Sequence, residues 1–271
     1  MTRVHVVAPT RAPAPAVLPD FVTDVRPPAP GPEHRATGRA AELGGLSGVL
    51  VPFDPGGHDA LVLAAAVLRD TRRIGVTVEF SAAAATPVYA AKLSASLQRY
   101  HAGRLAWWLA VDQDPAVARA HGDVLTGPAR YERADEFLTI ARGVWSGRGY
   151  SREGAHFAVL DGGLPDSRVA RPFPRVWLSG TSPEALDLSA RHADVHVLAP
   201  GDDPALVPDG VAAAVRLPFA GDAGAFTDQL RAYEAHGVTE FVVDPADPVA
   251  DAYRLAEHVL PRLAKETGHA G

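Results

Sequence analysis

A chain of 271 residues is long enough for one large α/β domain, which would bury roughly three quarters of the surface that its unfolded chain exposes. The formal charge of −6 and the lack of a run rich in lysine or arginine argue against nucleic acid as a partner. The chain has no cysteine, which excludes disulfides, thiolate metal sites and a cysteine nucleophile.

The N-terminal part predicts one strand and little other regular structure. Residues 4–7, VHVV, predict the strand, and the prolines that follow it forbid regular structure. Pro32 and Glu33 are suited to the start of a helix that runs to residue 41. The N-terminus lacks the apolar stretch of a secretory signal, and no apolar segment nears the ~20 residues that span a bilayer. We therefore expect a cytoplasmic protein with no membrane partner.

From residue 47 onward, apolar strands alternate with amphipathic helices. The predicted strands cover residues 47–53, 74–80, 105–111, 175–180, 194–200, 211–219 and 240–244. The predicted helices cover residues 58–68, 87–100, 130–145, 182–192, 225–236 and 249–266, with a small hairpin after residue 145. The strands are continuously apolar, which is expected of parallel strands that are covered on both faces.

The alternation gives about eight strand–helix units, and a closed (β/α)8 barrel needs about 250 residues. We therefore predict a TIM barrel that forms a single domain over residues 1–271. The alternative is an open doubly wound sheet, which should carry a glycine-rich phosphate turn after its first strand. The chain reads APTRAPAPA there, without a glycine, so the barrel is favoured.

Several stretches then occur in a characteristic order. They are TPVYAAKLSASLQRYHAGRLAWWLAV (86–111), RYERADEFL (130–138), VWSG (144–147), EGAHFAV (153–159) and RPFPRVWLSGTSPEALDLSARHADVHV (171–197). Their order and spacing resemble the bacterial luciferase-like flavin monooxygenases, and in particular their alkanesulfonate monooxygenase branch. The resemblance runs from about residue 45 to about residue 197 and more faintly through 232–244.

This resemblance implies a luciferase-like barrel with shortened insertions that binds reduced FMN, or in some relatives the deazaflavin F420, at the carboxyl end of its strands. Such an enzyme would oxidise a small organic substrate with O2 and keep water away from the flavin. It would receive reduced FMN from a separate flavin reductase. A homodimer, or a heterodimer with a related barrel, is expected.

The resemblance assigns two parts of a flavin site. The backbone N–H groups of Gly180, Thr181 and Ser182 would bind the flavin phosphate at the start of a helix. Tyr131 corresponds to a tyrosine that lies beside the phosphate in relatives. The residues also allow plainer roles, in which Thr181 or Ser182 caps the helix and Tyr131 only packs.

Other positions depart from the family's pattern. Where relatives supply an asparagine to the flavin ring, this chain has Trp108, whose indole has only a donor N–H and cannot replace an amide. Gly127 and Gly57 stand where relatives have a histidine and a cysteine. Because Trp107 and Trp108 alternate across the barrel wall, one of them should point inward, and an inward Trp108 would contact the flavin ring and fill part of its space. Much of the family's active-site segment after residue 200 is missing, which indicates a rearranged substrate pocket.

Three residues are candidates for catalysis. His58 could act as a general base, Asp112 follows a strand at the end where barrel enzymes carry functional residues, and Arg11 could pair with an anionic substrate. Alternatively, His58 is solvated beside a capping Asp59, Asp112 caps a loop and Arg11 is merely exposed. We expect no metal site, because His192 and His196 straddle a helix end and a strand.

Two functions from different classes follow. In the first, the protein is a flavin-dependent monooxygenase that uses reduced FMN on a small organic substrate. In the second, it is a catalytically degenerate barrel that binds no flavin and serves as a partner subunit or ligand-binding module. Fold analogy alone does not choose between them.

Overall fold

Eight parallel strands close into a barrel, so the expected (β/α)8 fold is confirmed and the open sheet is excluded. The structure is a computed structural model that describes residues 2–12, 19, 21, 33–147, 149–164 and 172–264. The strands are β1 (Arg3–Val7), β2 (Gly48–Val51), β3 (Gly75–Ser81), β4 (Leu105–Ala110), β5 (Tyr150–Glu153), β6 (Ala158–Gly162), β7 (Arg175–Ser179), β8 (Val195–Leu198), β9 (Ala212–Phe219) and β10 (Val238–Pro245). β5 and β6 form a separate antiparallel hairpin, and the other strands follow one another around the barrel until β10 pairs with β1.

Helices surround this barrel. They are α1 (His34–Leu43), α2 (Ala60–Asp70), α3 (Pro87–Tyr100), α4 (Pro115–Ala120), α5 (Pro128–Ser146), α6 (Pro183–His192), α7 (Ala223–Glu234), α8 (Pro248–Arg254) and α9 (Leu260–Ala264). A π-helical turn, Leu255–Val259, joins α8 to α9, and a short 3-10 turn covers Pro204–Leu206. No helix among the described residues is long and apolar enough to span a membrane.

Capping side chains explain where several helices begin. Asp59 caps α2, which therefore begins at Ala60 and not at the predicted residue 58. Ser182 caps α6 in the same way, one residue later than predicted. Asp222 caps α7, which runs two residues ahead of the predicted 225–236.

Other boundaries also differ from the prediction. α5 begins at Pro128 rather than at residue 130, because proline suits the first turn of a helix. α1 continues to Leu43, and its predicted start at Pro32 lies outside the described residues. Neither α4 nor the 3-10 turn was predicted. The helix predicted over 249–266 begins at Pro248, and its last two predicted residues lie outside the described part of the chain.

The two neighbouring tryptophans of β4 face opposite sides of the barrel wall, as the alternation predicted. Trp107 is fully buried under the helices, where its Nε1 donates a 2.9 Å hydrogen bond to Ser94 of α3. Trp108 points into the barrel. It belongs there to an apolar cluster formed with Val7, Leu50, Trp177, Val195, Val197, Ala214 and Val242. The middle of the barrel is therefore packed with side chains.

The hairpin that follows α5 is fastened to that helix. Glu136 of α5 accepts hydrogen bonds from the backbone N–H groups of Ala155, His156 and Phe157, at 2.8, 2.9 and 3.1 Å. The Tyr150 ring lies on α5 where Gly143 leaves room, since a Cβ at that position would collide with the ring. The charged helix α5 and the hairpin that follows it thus form one unit, which the Glu136 carboxylate holds together.

Charged side chains close the amino end of the barrel. The buried carboxylate of Glu240 on β10 accepts hydrogen bonds from Arg3 (3.2 Å) and Arg175 (2.7 Å), and it lies 3.1 Å from Nε2 of His5. Burial opposes ionisation of this carboxyl, but the bonds to His5 and Arg175 outweigh burial and lower the pKa of Glu240 to about 2. The site described next lies at the opposite end.

Candidate active site at the carboxyl end of the barrel

Three elements meet where β4 and β7 end. Asp112 follows β4, Gly180 follows β7, and Tyr131 projects from α5. The backbone of Gly180 has φ of +111°, a conformation that side chains disfavour. A Cβ at Gly180 would lie 3.3 Å from Oδ2 of Asp112 and 3.6 Å from the Tyr131 hydroxyl. The missing side chain therefore lets the carboxylate and the phenol approach the turn at the start of α6.

Tyr131 donates its hydroxyl hydrogen bond to Oδ2 of Asp112. Ser182 donates to the Tyr131 oxygen at 3.5 Å, while its own oxygen accepts from the Ala185 N–H at 3.2 Å as the cap of α6. Burial and the Asp112 carboxylate raise the pKa of Tyr131 to about 12. The phenol therefore remains a proton donor at neutral pH, and Asp112 is bound to it rather than capping its own loop.

A groove of about 360 Å³ outside this contact is acidic. Its lining includes Tyr131, two guanidinium groups and five carboxylates, namely Arg152, Arg191, Glu132, Asp135, Glu136, Glu184 and Asp187. Arg191 is already bound to Asp135 at 2.6 Å. The start of α6 consequently lies next to more negative than positive charge, which complements the positive end of its helix dipole.

Trp108 forms part of the packed interior next to the turn. Only 5% of this residue is exposed, and its indole stacks on that of Trp177, with ring centroids 6.3 Å apart and planes 27° apart. Its Nε1 makes a long 3.4 Å hydrogen bond to Ser179. The structure thus places Trp108, Tyr131, Asp112, Gly180 and Ser182 together, whereas the Thr181 side chain is exposed to solvent.

A larger cavity of about 710 Å³ lies at the carboxyl ends of β2 and β3, between α2 and α3. Its walls are mainly apolar and include Leu61, Val62, Ala65, Phe80, Tyr89, Leu93 and Leu97. Polar groups reach it from Glu79, His58, Asp59 and His121. An apolar cavity of this size with a few polar groups is typical of a site for a small organic ligand.

Glu79 lines this cavity. It also borders the barrel interior, because it pairs in register with Trp108, which points inward. Its carboxylate accepts a 3.0 Å hydrogen bond from the Phe53 N–H. Burial raises the pKa of Glu79, and Asp244 adds to this, although the Phe53 N–H and Arg216 act in the opposite direction. Glu79 therefore keeps its proton to a higher pH than an ordinary glutamate.

Arg216 and Asp244 form a two-bond ion pair, at 2.8 and 2.7 Å, whose charges act on Glu79. Burial opposes the charge of Arg216, but the bond to Asp244 outweighs it and the pKa of Arg216 is raised. Glu79, Arg216 and Asp244 were not predicted from the sequence as site residues. A signal was present, because Glu79 and Arg216 each interrupt an otherwise apolar strand and Asp244 stands near the carboxyl end of β10.

The remaining candidates lie on loops after β1 and β2. His58 is exposed at the rim of the cavity, beside Asp59, which caps α2. Arg11 pairs with Asp54 through two hydrogen bonds, one of them 2.6 Å from Nε to Oδ2. Its guanidinium already has a carboxylate partner, which also accepts from Thr10 at 2.6 Å. No group of three or more potential metal ligands occurs among the described residues.

The FMN that the resemblance implies fits these residues only in part. The cavity beside Glu79 has room for a flat ring system. The turn at Gly180 is less suited to a phosphate dianion, because the Asp112 carboxylate lies beside it and the acidic groove lies next to the start of α6. A second disagreement is Trp108, which stands inside the barrel where the resemblance expects an amide beside the ring.

Comparisons with known proteins agree with the barrel. The chain is similar to the EDTA monooxygenase from Chelativorans sp. BNC1, with 16% identity, 97% of this chain and 93% of that chain covered, and a TM-score of 0.72. It is also similar to an F420-dependent secondary alcohol dehydrogenase in complex with an F420-acetone adduct, with 14% identity, 96% and 98% covered, and a TM-score of 0.73. For a riboflavin lyase with modified FMN and substrate riboflavin, the identity is 15%, the coverage 100% and 92%, and the TM-score 0.73.

These identities are low, so the solved structures establish the fold alone. The family model described as luciferase-like monooxygenase matches residues 2–216, which is most of the chain. The chain belongs to the luciferase-like monooxygenase family.

Proposed function

We propose that this protein is an oxidoreductase, in the first place a monooxygenase, that uses a flavin or deazaflavin to act on a small organic substrate. The observation that carries the proposal is the apolar cavity of about 710 Å³ at the carboxyl end of the barrel, which Glu79 helps to line. Family membership supports it, as do the FMN and F420 named with two of the similar structures. A reduced flavin, when bound, would supply two electrons for the reaction of O2 with the substrate, whereas a deazaflavin would exchange a hydride with the substrate.

The chain's own residues would contribute a proton and a dry environment. The raised pKa of Glu79 favours the protonated carboxyl group more than in an ordinary glutamate, and the Phe53 N–H donates to one of its oxygens at 3.0 Å. A carboxyl with a raised pKa suits general acid–base chemistry near neutral pH. The apolar walls, including Phe80 and Leu93, would exclude water from the same space once a ligand fills its opening. His58 and His121 at the rim are further candidates for proton exchange with solvent.

The partners expected from the family resemblance belong to the same proposal. A separate reductase would supply the reduced cofactor, and the barrel would pair with a second copy or with a related barrel. A cytoplasmic location is consistent with these partners.

A second candidate is a barrel that has lost flavin chemistry and acts as a partner subunit or ligand-binding module. The contact between Tyr131 and Asp112 favours it, because the carboxylate lies where the family's pattern puts the flavin phosphate. Trp108 favours it too, because an indole stands in place of the amide expected beside the ring.

Titration of the purified protein distinguishes the two functions. FMN, riboflavin and F420 are added in turn, in oxidised and reduced form, while tryptophan fluorescence and heat of binding are recorded. Saturation by one of them at micromolar concentration, followed by O2 consumption that leads to an oxidised organic product, supports the oxidoreductase. If none of them binds at millimolar concentration in either redox state, the second candidate is correct.

A further inference from the structure

We propose that the amino end of the barrel holds a binding site for a small organic anion, separate from the candidate active site. A cavity of about 360 Å³ lies there, beside the ion pairs of Glu240. It shares no lining residue with the apolar cavity at the carboxyl end. The inference therefore does not depend on the proposed flavin use.

Small residues at the starts of the strands leave room for this cavity. Gly75 of β3 and Ala106 of β4 both line it. A Cβ at Gly75 would have only ordinary contacts, with the backbone oxygens of Ser47 at 3.7 Å and Arg104 at 3.9 Å. Apolar walls are provided by Ala106, Pro172, Phe173 and Trp177. The space is therefore suited to a ligand with an apolar body and not only to a bare ion.

The charged groups of the cavity lining are all basic. Among the described residues, the lining contains no carboxylate, and its basic residues are Arg3, His5, Arg73, Arg104 and Arg175. Two carboxylates act on these groups from outside the lining. Glu240 binds Arg3 and Arg175 and lies beside His5, and Glu42 acts on Arg73 and Arg104. Four guanidinium groups against two carboxylates leave an excess of positive charge, which favours an anion.

Two buried nitrogens of the lining have no hydrogen-bond partner among the described residues. They are Nε1 of Trp177, which is 1% exposed, and Nδ1 of His5, which is 7% exposed. The two rings pack edge to face with centroids 5.2 Å apart, so both nitrogens belong to one place. Nε2 of His5 is already engaged with Glu240 at 3.1 Å.

The unpartnered indole of Trp177 indicates what the ligand must bring. An indole N–H can only donate, and a buried donor without an acceptor is unfavourable. A carboxylate or a phosphate ester supplies acceptor oxygens, and guanidinium groups bind both with paired hydrogen bonds. An organic anion therefore matches the charge, the apolar walls and the free donor together.

Calorimetry on the full chain tests the proposal with benzoate, phenyl phosphate and the neutral benzamide as probes. We expect at least one of the two anions to bind about tenfold or more tightly than benzamide. The anion that binds more tightly identifies the head group as carboxylate or phosphate.

Two neighbouring arginines provide a matched pair of variants. Arg73→Gln should weaken binding of the anion about threefold or more, because Arg73 lines the cavity. Arg72→Gln removes the same charge from an exposed residue outside the lining and should weaken binding less than about twofold. Gly75→Val should abolish binding, because its side chain fills the cavity without displacing the backbone.

Nuclear magnetic resonance locates the bound probe. The indole N–H signal of Trp177, identified by its loss in Trp177→Phe, should shift when the anion is added. The Trp107 signal is the internal control, because that N–H already donates to Ser94 at 2.9 Å and should not shift.

Several results would overturn the proposal. These are no binding of either anion below about 10 mM, benzamide binding as tightly as the anions, or binding that leaves the Trp177 signal unmoved. Equal losses in Arg73→Gln and Arg72→Gln would also contradict it, because they would assign the effect to overall charge. The comparison of probes needs only the wild-type protein, so it decides the matter even if a variant does not fold.

Discussion

Tyr131 donates its hydroxyl hydrogen bond to Asp112 beside Gly180, so one contact joins α5 to the ends of β4 and β7. The side chains of β4 are apolar on both faces of the barrel wall. Asp112 is the first charged residue after that strand. This hydrogen bond therefore stabilises the fold whether or not a ligand is bound.

Tyr131→Phe should lower the free energy of unfolding by about 0.5–1.5 kcal/mol, because it removes the hydrogen bond between a buried phenol and the exposed Asp112 carboxylate. The raised pKa of Tyr131, about 12, has a matching consequence. Stability from the phenol is fully present below the usual tyrosine pKa near 10 and is lost as the pH rises through about 12.

Urea unfolding near neutral pH measures the first effect. Tyr100→Phe is the control, because that ring is 76% exposed and should change stability by less than about 0.5 kcal/mol. Equal effects of the two substitutions would show that the contact with Asp112 contributes nothing.

Glu79→Gln tests the raised pKa of this carboxyl. A raised pKa means that the folded protein favours the protonated acid, which glutamine imitates. The stability associated with the protonated form is present below the usual glutamate pKa and is lost as the pH rises through the raised value. Relative to wild type, the variant should therefore gain melting temperature as the pH increases from about 4 to about 8.

Melting curves across this pH range provide the measurement. Glu132→Gln, whose side chain is 69% exposed, should show no such trend. A pH-independent difference between Glu79→Gln and wild type would contradict the raised pKa. It would also remove the reason for assigning Glu79 a proton in the proposed reaction.

The barrel could be predicted from sequence because its signals are local. Continuously apolar strands such as β2 and β8 need cover on both faces, and capping residues such as Asp59 fix helix starts within a residue or two. Simple alternation along one strand also predicted that one of Trp107 and Trp108 points inward, and the structure shows that it is Trp108.

Contacts in the site could not be predicted in this way. Tyr131 and Asp112 meet only because α5 packs against the carboxyl ends of β4 and β7, which no local pattern specifies. Arg11 was a candidate to pair with an anionic substrate. The fold instead brings Asp54, from the loop after β2, to within 2.6 Å of its guanidinium. Glu79 and Arg216 interrupt apolar strands, and only the closed barrel shows that their charges interact.

The hairpin depends on the carboxylate of Glu136, which accepts three backbone N–H groups. Glu136→Gln leaves one acceptor oxygen, so at least one N–H then faces an amide donor. We expect a loss of about 1–3 kcal/mol in unfolding free energy and faster amide exchange at Ala155, His156 and Phe157.

Hydrogen exchange followed by mass spectrometry resolves this segment. Glu153→Gln lies on the same hairpin and is exposed, so it should leave the exchange rates unchanged. Burial raises the pKa of Glu136, but the three N–H donors outweigh burial and lower it. The protection should therefore persist at neutral pH and disappear as the pH falls below the usual range of glutamate. Unaltered protection in Glu136→Gln would assign the hairpin's order to its apolar contacts instead.

Glu240 should be the most sensitive charged residue at the amino end of the barrel, because it is 2% exposed and bound to three basic side chains. Glu240→Gln leaves Arg3 and Arg175 without their carboxylate and should cost about 3–5 kcal/mol near neutral pH. The pKa of Glu240, about 2, lies below that of an unfolded glutamate, near 4.3. Its contribution is therefore present above about pH 4.3 and is lost as the pH falls toward about 2.

Urea unfolding at several pH values should show the wild-type and Glu240→Gln curves converging in acid, while Glu257→Gln, with a side chain 69% exposed, follows wild type throughout. A constant gap between wild type and Glu240→Gln down to about pH 2 would mean that packing, and not the charge, makes this residue important.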